Sequence, residues 1–188
     1  MPEPFFTIGH STRPIEKFIE LLRHAGVRLV ADVRTIPRSR KNPQFNTHAL
    51  AKSLMHRRIG YRHIAALGGL RGKSRDVPPE TNAFWINESF HNYADYAMTE
   101  SFREGIAALR ELGHAERCAI MCAEALWWRC HRRIITDYLL ASSETVFHIL
   151  GLDHSEEATI MPEAQLGPDG MLTYPVRNSA AGAPVARQ

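Results

Sequence analysis

The chain has only three cysteines in 188 residues. They are too few and too irregularly spaced for a disulfide scaffold, which excludes the small stapled domains of oxidising compartments. It has no run of about eighteen apolar residues, so no membrane-spanning helix is expected. The opening Met-Pro-Glu-Pro-Phe-Phe lacks the charged-then-apolar pattern of a signal peptide. These absences predict a cytoplasmic protein with no membrane partner. Internal repeats are absent too. Neither G-x-x-x-x-G-K-S/T nor G-x-G-x-x-G occurs, so a glycine loop that cradles nucleotide phosphates has only weak support. Gly68-Gly-Leu-Arg-Gly72 permits close backbone approach, but it reads as a flexible turn.

Net charge is small, at +3, yet the charges are unevenly placed. Residues 10–75 hold fifteen Lys and Arg against three acids, whereas residues 76–188 hold eight against sixteen. A basic block of that size points to an anionic partner, phosphate groups or nucleic acid. The plainer reading is solvated helix surface balanced by the acidic half.

Apolar runs of strand length alternate with helical periodicity. Phe5–Ile8, Val27–Val33, Tyr61–Ile64, Cys118–Ala123 and Thr145–Leu150 read as strands. A helix from Pro14, capped by Ser11 or Thr12, carries Ile15, Phe18, Ile19 and Leu22 and stops at Gly26. A second, capped by Thr47, carries Leu50 and Leu54. Others are expected around Phe90–Ala97, over Phe102–Leu112 and from about Trp128 to Ala141. This alternation predicts a single α/β domain over residues 1–150, with a mostly parallel sheet covered by helices on both faces, a Rossmann-like three-layer arrangement. Residues 151–176 form an expected extension with a small hairpin at Asp169-Gly170, and residues 177–188 an expected disordered tail.

Chemistry-bearing side chains follow the strand ends, where an α/β sheet binds ligands. Cys122 closes the fourth strand and Glu124 lies two residues on. Cys130 and His131 lie one turn before Ile134 and Ile135 on the buried stripe of the next helix. A helix start with Arg129 and Arg132 would lower a thiol pKa, with His131 as base and Glu124 as its partner. The competing reading makes the cysteines inert packing. Zinc is the alternative use of these atoms, but Cys-x₇-Cys-His matches none of the paired zinc spacings, so no metal or cofactor is expected. After the first strand come His10 and Ser11, and after the second Arg34, Arg38 and Arg40. These, with Arg132, would hold an anion, while Asn42, Gln44 and Phe45 would read or stack on a base. Against that, Asp32 and the arginines would form structural ion pairs, with Phe45 in the core.

Taken together, Thr7-Ile-Gly-His-Ser-Thr12, Asp32-Val-Arg34, Pro37-Arg-Ser-Arg-Lys-Asn-Pro-Gln-Phe45, Leu67-Gly-Gly69, Tyr93-Ala-Asp-Tyr96 and Cys122-Ala-Glu124 with Cys130-His-Arg132 resemble the domain-of-unknown-function 488 family from about residue 5 to 150. The resemblance implies a compact α/β domain with its motifs on one rim, and no particular reaction. Relatives place a histidine near residues 157–161, where this chain has Ala158, so a mechanism needing that histidine is not carried over. Asp32-Val-Arg34 is also similar to rhodanese-type sulfur-transfer domains. The loop after Cys122 lacks their glycines and has no positive charge before Arg129, so that reading is not adopted. The sequence therefore predicts an enzyme acting on a phosphate-bearing nucleotide or nucleic acid. The alternatives are a non-catalytic nucleic-acid-binding module with core cysteines, or a thiol or metal sensing site. It leaves the oligomeric state open.

Overall fold

The computed structural model describes residues 3–176; the tail expected over residues 177–188 lies outside the described residues. Six strands form one sheet in the order β3-β2-β4-β1-β5-β6. They are β1 (Phe5–Gly9), β2 (Leu29–Asp32), β3 (Gly60–His63), β4 (Cys118–Cys122), β5 (Val146–Gly151) and β6 (His154–Glu157). The first five run parallel and β6 returns antiparallel along β5.

The strands at the centre are continuous apolar runs because both their faces are covered. Side-chain alternation divides them cleanly. Phe6, Ile8, Val30, Ala119 and Met121 face α1 (Ile15–His24) and α2 (Thr47–Met55), where they meet Phe18, Leu22, Leu50 and Leu54. Phe5, Ala31, Cys118, Ile120 and Cys122 face the other layer, α3 (Glu88–Tyr96), α4 (Glu100–Ala115) and α5 (Arg132–Ala141). Each fully buried Phe or Leu in these layers contributes roughly 1.5–3 kcal/mol. This is the three-layer α/β architecture expected from the alternating pattern.

Local details depart from expectation for identifiable reasons. Helix α1 begins at Ile15 with no side-chain cap; Ser11 instead sits in a tight turn at φ 50°, its N–H bonded to the Ala123 carbonyl at 3.0 Å. Gly26, at φ 69°, ends α1 in the left-handed conformation glycine favours. Thr47 does not cap α2; its hydroxyl donates to the Pro37 carbonyl at 3.2 Å. Helix α5 starts at Arg132, not near Trp128, because Trp127–Arg129 form a 3₁₀ turn and Cys130 is extended. Strand β6 falls where the sequence shows no periodicity. The hairpin does form, pairing β7 (Gln165–Leu166) with β8 (Leu172–Thr173) around Asp169-Gly170. The segment is docked by Tyr174, fully buried, whose hydroxyl donates to Asp137 at 2.9 Å.

The helix after β1 lies on one face of the sheet and the helix after β4 on the other, although these strands are neighbours. Such a reversal opens a crevice at the carboxyl edge. His10, Arg34 and Glu124 all leave the sheet at that edge. The His10 N–H bonds the Cys122 carbonyl at 2.9 Å and the Val33 N–H bonds Met121 at 3.0 Å, holding the three strand ends together.

Candidate active site

A cavity of about 400 Å³ occupies this crevice. Its walls come from His10 after β1, Arg34, Thr35, Ile36, Arg38 and Ser39 after β2, Gly69 and Leu70 of the glycine-rich loop, and Ser89, Phe90 and Tyr93 of α3. Cys122, Ala123, Glu124, Arg129, Cys130 and His131 complete it. Of the side chains expected to carry chemistry, Cys122, Glu124, Cys130 and His131 thus do converge.

The two sulfurs are in direct contact at 2.6 Å, and Cys130 is only 6% exposed. Around them the geometry is asymmetric. The Cys130 sulfur faces His131 Nδ1 at 3.4 Å and receives the Arg132 backbone N–H at 3.5 Å, at the start of α5. His131 Nε2 lies 2.8 Å from the Val33 carbonyl, which can only accept, so Nε2 carries a proton and Nδ1 is turned to the sulfur. Cys122 has the Glu124 carbonyl as its other neighbour, at 3.7 Å, an acceptor that suits a thiol and opposes a thiolate. Burial pushes both thiols up. For Cys130 the hydrogen bond from Cys122 and the contacts with His131 and Arg132 outweigh burial and hold it well below the ordinary value. For Cys122 burial is reinforced by the neighbouring Cys130 sulfur, and its pKa stays raised. The two thiols thus shift in opposite directions and titrate as a pair, with Cys130 the sulfur that more readily gives up its proton. Cys118, inside β4, is pushed up to about 12, mainly by burial.

Arg132 supplies the balancing charge. It is 1% exposed and folds back beneath the 123–131 loop, its Nη2 donating 2.5 Å to the Glu124 carbonyl and its Nη1 lying 3.5 Å from the Thr7 hydroxyl. Among the described residues no carboxylate pairs with it, and its Nε has no hydrogen-bond partner. Burial lowers its pKa, but the neighbouring Cys122 and Cys130 reverse the direction and raise it. A buried guanidinium calls for a counter-charge, and the neighbouring cysteine pair is the group that raises its pKa. Arg132 is not among the residues that line the cavity.

The basic residues separate. Arg34 is buried against Asp32, with Nε 2.9 Å from one carboxylate oxygen and Nη2 2.6 Å from the other; Nη2 also donates to the Phe45 carbonyl at 2.8 Å. Asp32 further accepts the Tyr61 hydroxyl at 2.7 Å. The Arg34 charge is thereby neutralised. His10 donates Nδ1–H to the Ser11 carbonyl at 2.8 Å, leaving Nε2 to Arg34 at 3.3 Å. Burial first, then the Arg34 charge, pulls its pKa down to about 4, so it is neutral at pH 7. Phe45 is fully buried and stacked on His10 at 4.2 Å, with no face open to a base. Gln44 holds the Arg13 carbonyl at 3.0 Å, while the Asn42 N–H is held by Ser39; neither lines the cavity, and nor does Ser11. Arg38 and Arg129 remain exposed at its mouth, without an ion-pair partner among the described residues. Arg40 lies in an adjoining groove that shares Ile36, Arg38 and Ser39 with the cavity and adds His48.

Sequence reasoning missed the wall made by Phe90 and Tyr93, and the role of Gly69. A β-carbon on Gly69 would fall 2.5 Å from His131 Nδ1, so the imidazole occupies the space that glycine leaves. It missed also the layer beneath Arg132, where His148 Nδ1 meets the Thr7 hydroxyl at 2.7 Å and Trp127 stacks on His148 at 4.1 Å. Its neighbour Trp128 faces solvent. The signals were the Leu67-Gly-Gly69 and Tyr93-Ala-Asp-Tyr96 motifs, present without a partner to interpret them. Among the described residues no three metal-ligating side chains converge, and no helix is long and apolar enough to cross a membrane.

Fold and site together define a doubly wound α/β domain with a cysteine–histidine pocket at its topological switch point. The sequence model of the family described as Domain of unknown function DUF488 matches residues 14–139, and the chain belongs to that family. Neither curated proteins nor solved structures contain a match.

Proposed function

We propose that the protein is an enzyme that uses the Cys130 thiolate as a nucleophile toward a phosphate-bearing small molecule, a nucleotide in preference to a sugar phosphate. The observation that carries this reading is the contact set of the Cys130 sulfur. A helix-start N–H, an imidazole fixed in tautomer by a carbonyl, and a second thiol all meet it at the base of a cavity of small-molecule size. Nucleophile, base and orienting group are the parts that covalent catalysis needs. Arg38 and Arg129 at the mouth suit an anionic group, and Ile36, Leu70 and Phe90 suit an apolar or aromatic body. The groove with Arg40 and His48 accommodates a longer anionic tail. Part of the remaining positive charge lies elsewhere. Arg23, His24, His56 and Arg57 sit at the carboxyl ends of α1 and α2, where they complement helix dipoles and share a groove with Glu16, Glu20 and Asp153. That distribution favours a pocket enzyme over a nucleic-acid-binding module.

Alkylation by iodoacetamide tests the proposal. Cys130 should react at pH 6 to 7, well below the ordinary thiol range, and a nucleoside phosphate should protect it. Arg38→Ala with Arg129→Ala should abolish protection without slowing alkylation in its absence. A Cys130 that reacts no faster than a free thiol at these pH values would overturn the nucleophile. Protection by a polynucleotide and not by a nucleotide would favour the binding module.

A further inference from the structure

A nucleophile needs one thiol, and the pocket holds two. Cys122 ends a rigid central strand, and Cys130 is held extended by the turn before α5. Their sulfurs touch at 2.6 Å and both reach the same cavity. Among the described residues neither sulfur contacts a carboxylate, and no metal-ligating cluster forms that would give the second sulfur another task. We infer that Cys122 and Cys130 are a redox-active dithiol, which a small hydroperoxide entering the pocket converts to an intramolecular disulfide. The inference rests on the reading of Cys130 as the thiolate and adds a resolving role for Cys122.

The chemistry closes without a group from outside the pocket except the peroxide. The Cys130 sulfur attacks the terminal oxygen of the peroxide. The O–O bond breaks, and the departing oxygen takes the proton that Cys130 had passed to His131 Nδ1, leaving as alcohol or water. Cys130 is then a sulfenic acid. Cys122 attacks its sulfur, the S–O bond breaks, and the hydroxyl leaves with the Cys122 proton as water. Two electrons have moved from the two sulfurs to the O–O bond, and an external dithiol restores them by exchange. Roles follow from the surroundings: His131 and a backbone N–H face the attacking sulfur, while the other faces a carbonyl. Burial of both sulfurs, at 3% and 6% exposure, restricts access to oxidants small enough for the cavity. Closing the disulfide removes the nucleophile, so oxidation would also switch off the proposed activity.

The experiment treats the full chain with equimolar hydrogen peroxide at neutral pH, blocks remaining thiols in denaturant and maps the peptides by mass spectrometry. Two of the three thiols should be lost, in a peptide linking Cys122 to Cys130, with Cys118 free and all three recovered after dithiothreitol. Cys122→Ser, with Cys122→Ala as a second variant should serine fold poorly, should instead leave a Cys130 sulfenic acid that dimedone traps. Three surviving thiols, or Cys130 advanced to sulfinic acid beside a free Cys122, would overturn the dithiol. If Cys130 nevertheless alkylates rapidly at pH 6, the nucleophile stands and the resolving role alone is lost. If Cys130 resists both reagents, both readings fall together.

Discussion

At the scale of single residues, the site is organised around two buried cations that fare differently. Arg34 has a carboxylate within its own strand end, so Asp32-Val-Arg34 is a closed ion pair that braces the edge and accepts a third bond from Tyr61. Arg132 has no carboxylate partner among the described residues, and the neighbouring Cys122 and Cys130 are what raise its pKa. Both were expected to grip a substrate anion, Arg34 from just past a strand and Arg132 from the helix that follows one. What separates them is the nearest acid in space, which spacing shows for Asp32 and hides for Cys130. Under the proposed function Arg132 would act on chemistry through the thiol. Replacing it by methionine keeps most of the buried volume and removes the charge. A partner charge this close shifts a pKa by about 1–3 units, so Arg132→Met should slow Cys130 alkylation at pH 7 about tenfold or more and move its half-point toward the ordinary thiol value. A stopped assay over pH 5 to 10 reads both quantities; an unmoved half-point would show that the helix start and His131 suffice.

At the scale of elements, the pocket is where three loops and one helix wall meet. The strand ends were legible because unbroken apolar runs such as Phe5–Ile8 and Cys118–Cys122 must be buried on both faces. The residues after them then fall on one rim by topology. Less legible was the start of α5. Its helical periodicity extends back to Trp128, but the chain turns in a 3₁₀ step because the Arg132 guanidinium takes the Glu124 and Ala125 carbonyls, a contact no local pattern announces. Helix α3 was expected, capped here by the Asn87 side chain, but its place opposite Cys130 is tertiary. Gly69 is the sharpest case, a glycine in an apparent turn that is required by close approach and not by backbone conformation. Gly69→Ala should drive His131 from Nδ1 contact with the sulfur and slow Cys130 alkylation several-fold, while the melting temperature falls only modestly. Equal loss of stability and reactivity would mean that the loop had collapsed, and unaltered alkylation would remove His131 from the activation of Cys130.

At the scale of the whole molecule, the sheet order and layers follow from the alternation of strand and helix, whereas β6 does not. Its residues His154–Glu157 are all exposed, and an edge strand paired through backbone alone leaves no apolar signature. Global stability should carry the imprint of three buried titratable groups set in different parts of the fold. Burial holds His10 and His148 down to about 4, with Arg34 adding to the first and Arg132 to the second. Each contributes stability that is present above the ordinary histidine value of about 6.5 and is lost as pH falls toward 4. Asp137, which bonds Tyr174 and the Met161 N–H, is raised to about 6 by burial. Its contribution has the opposite sign: present below the ordinary carboxylate value and lost as pH rises through 6. Two histidines oppose one aspartate over nearly the same window, each shift being on the order of 3 kcal/mol. The protein should therefore melt several degrees lower at pH 4.5 than at pH 7. His148→Gln, which keeps a hydrogen-bonding partner for Thr7, should make that acid loss shallower. Asp137→Asn should make it steeper, because the one group that gains from acid is gone. Melting curves of the three proteins across pH 4 to 7.5 decide it, and an Asp137→Asn profile shallower than the parent's would reverse the sign assigned to the Tyr174 anchor.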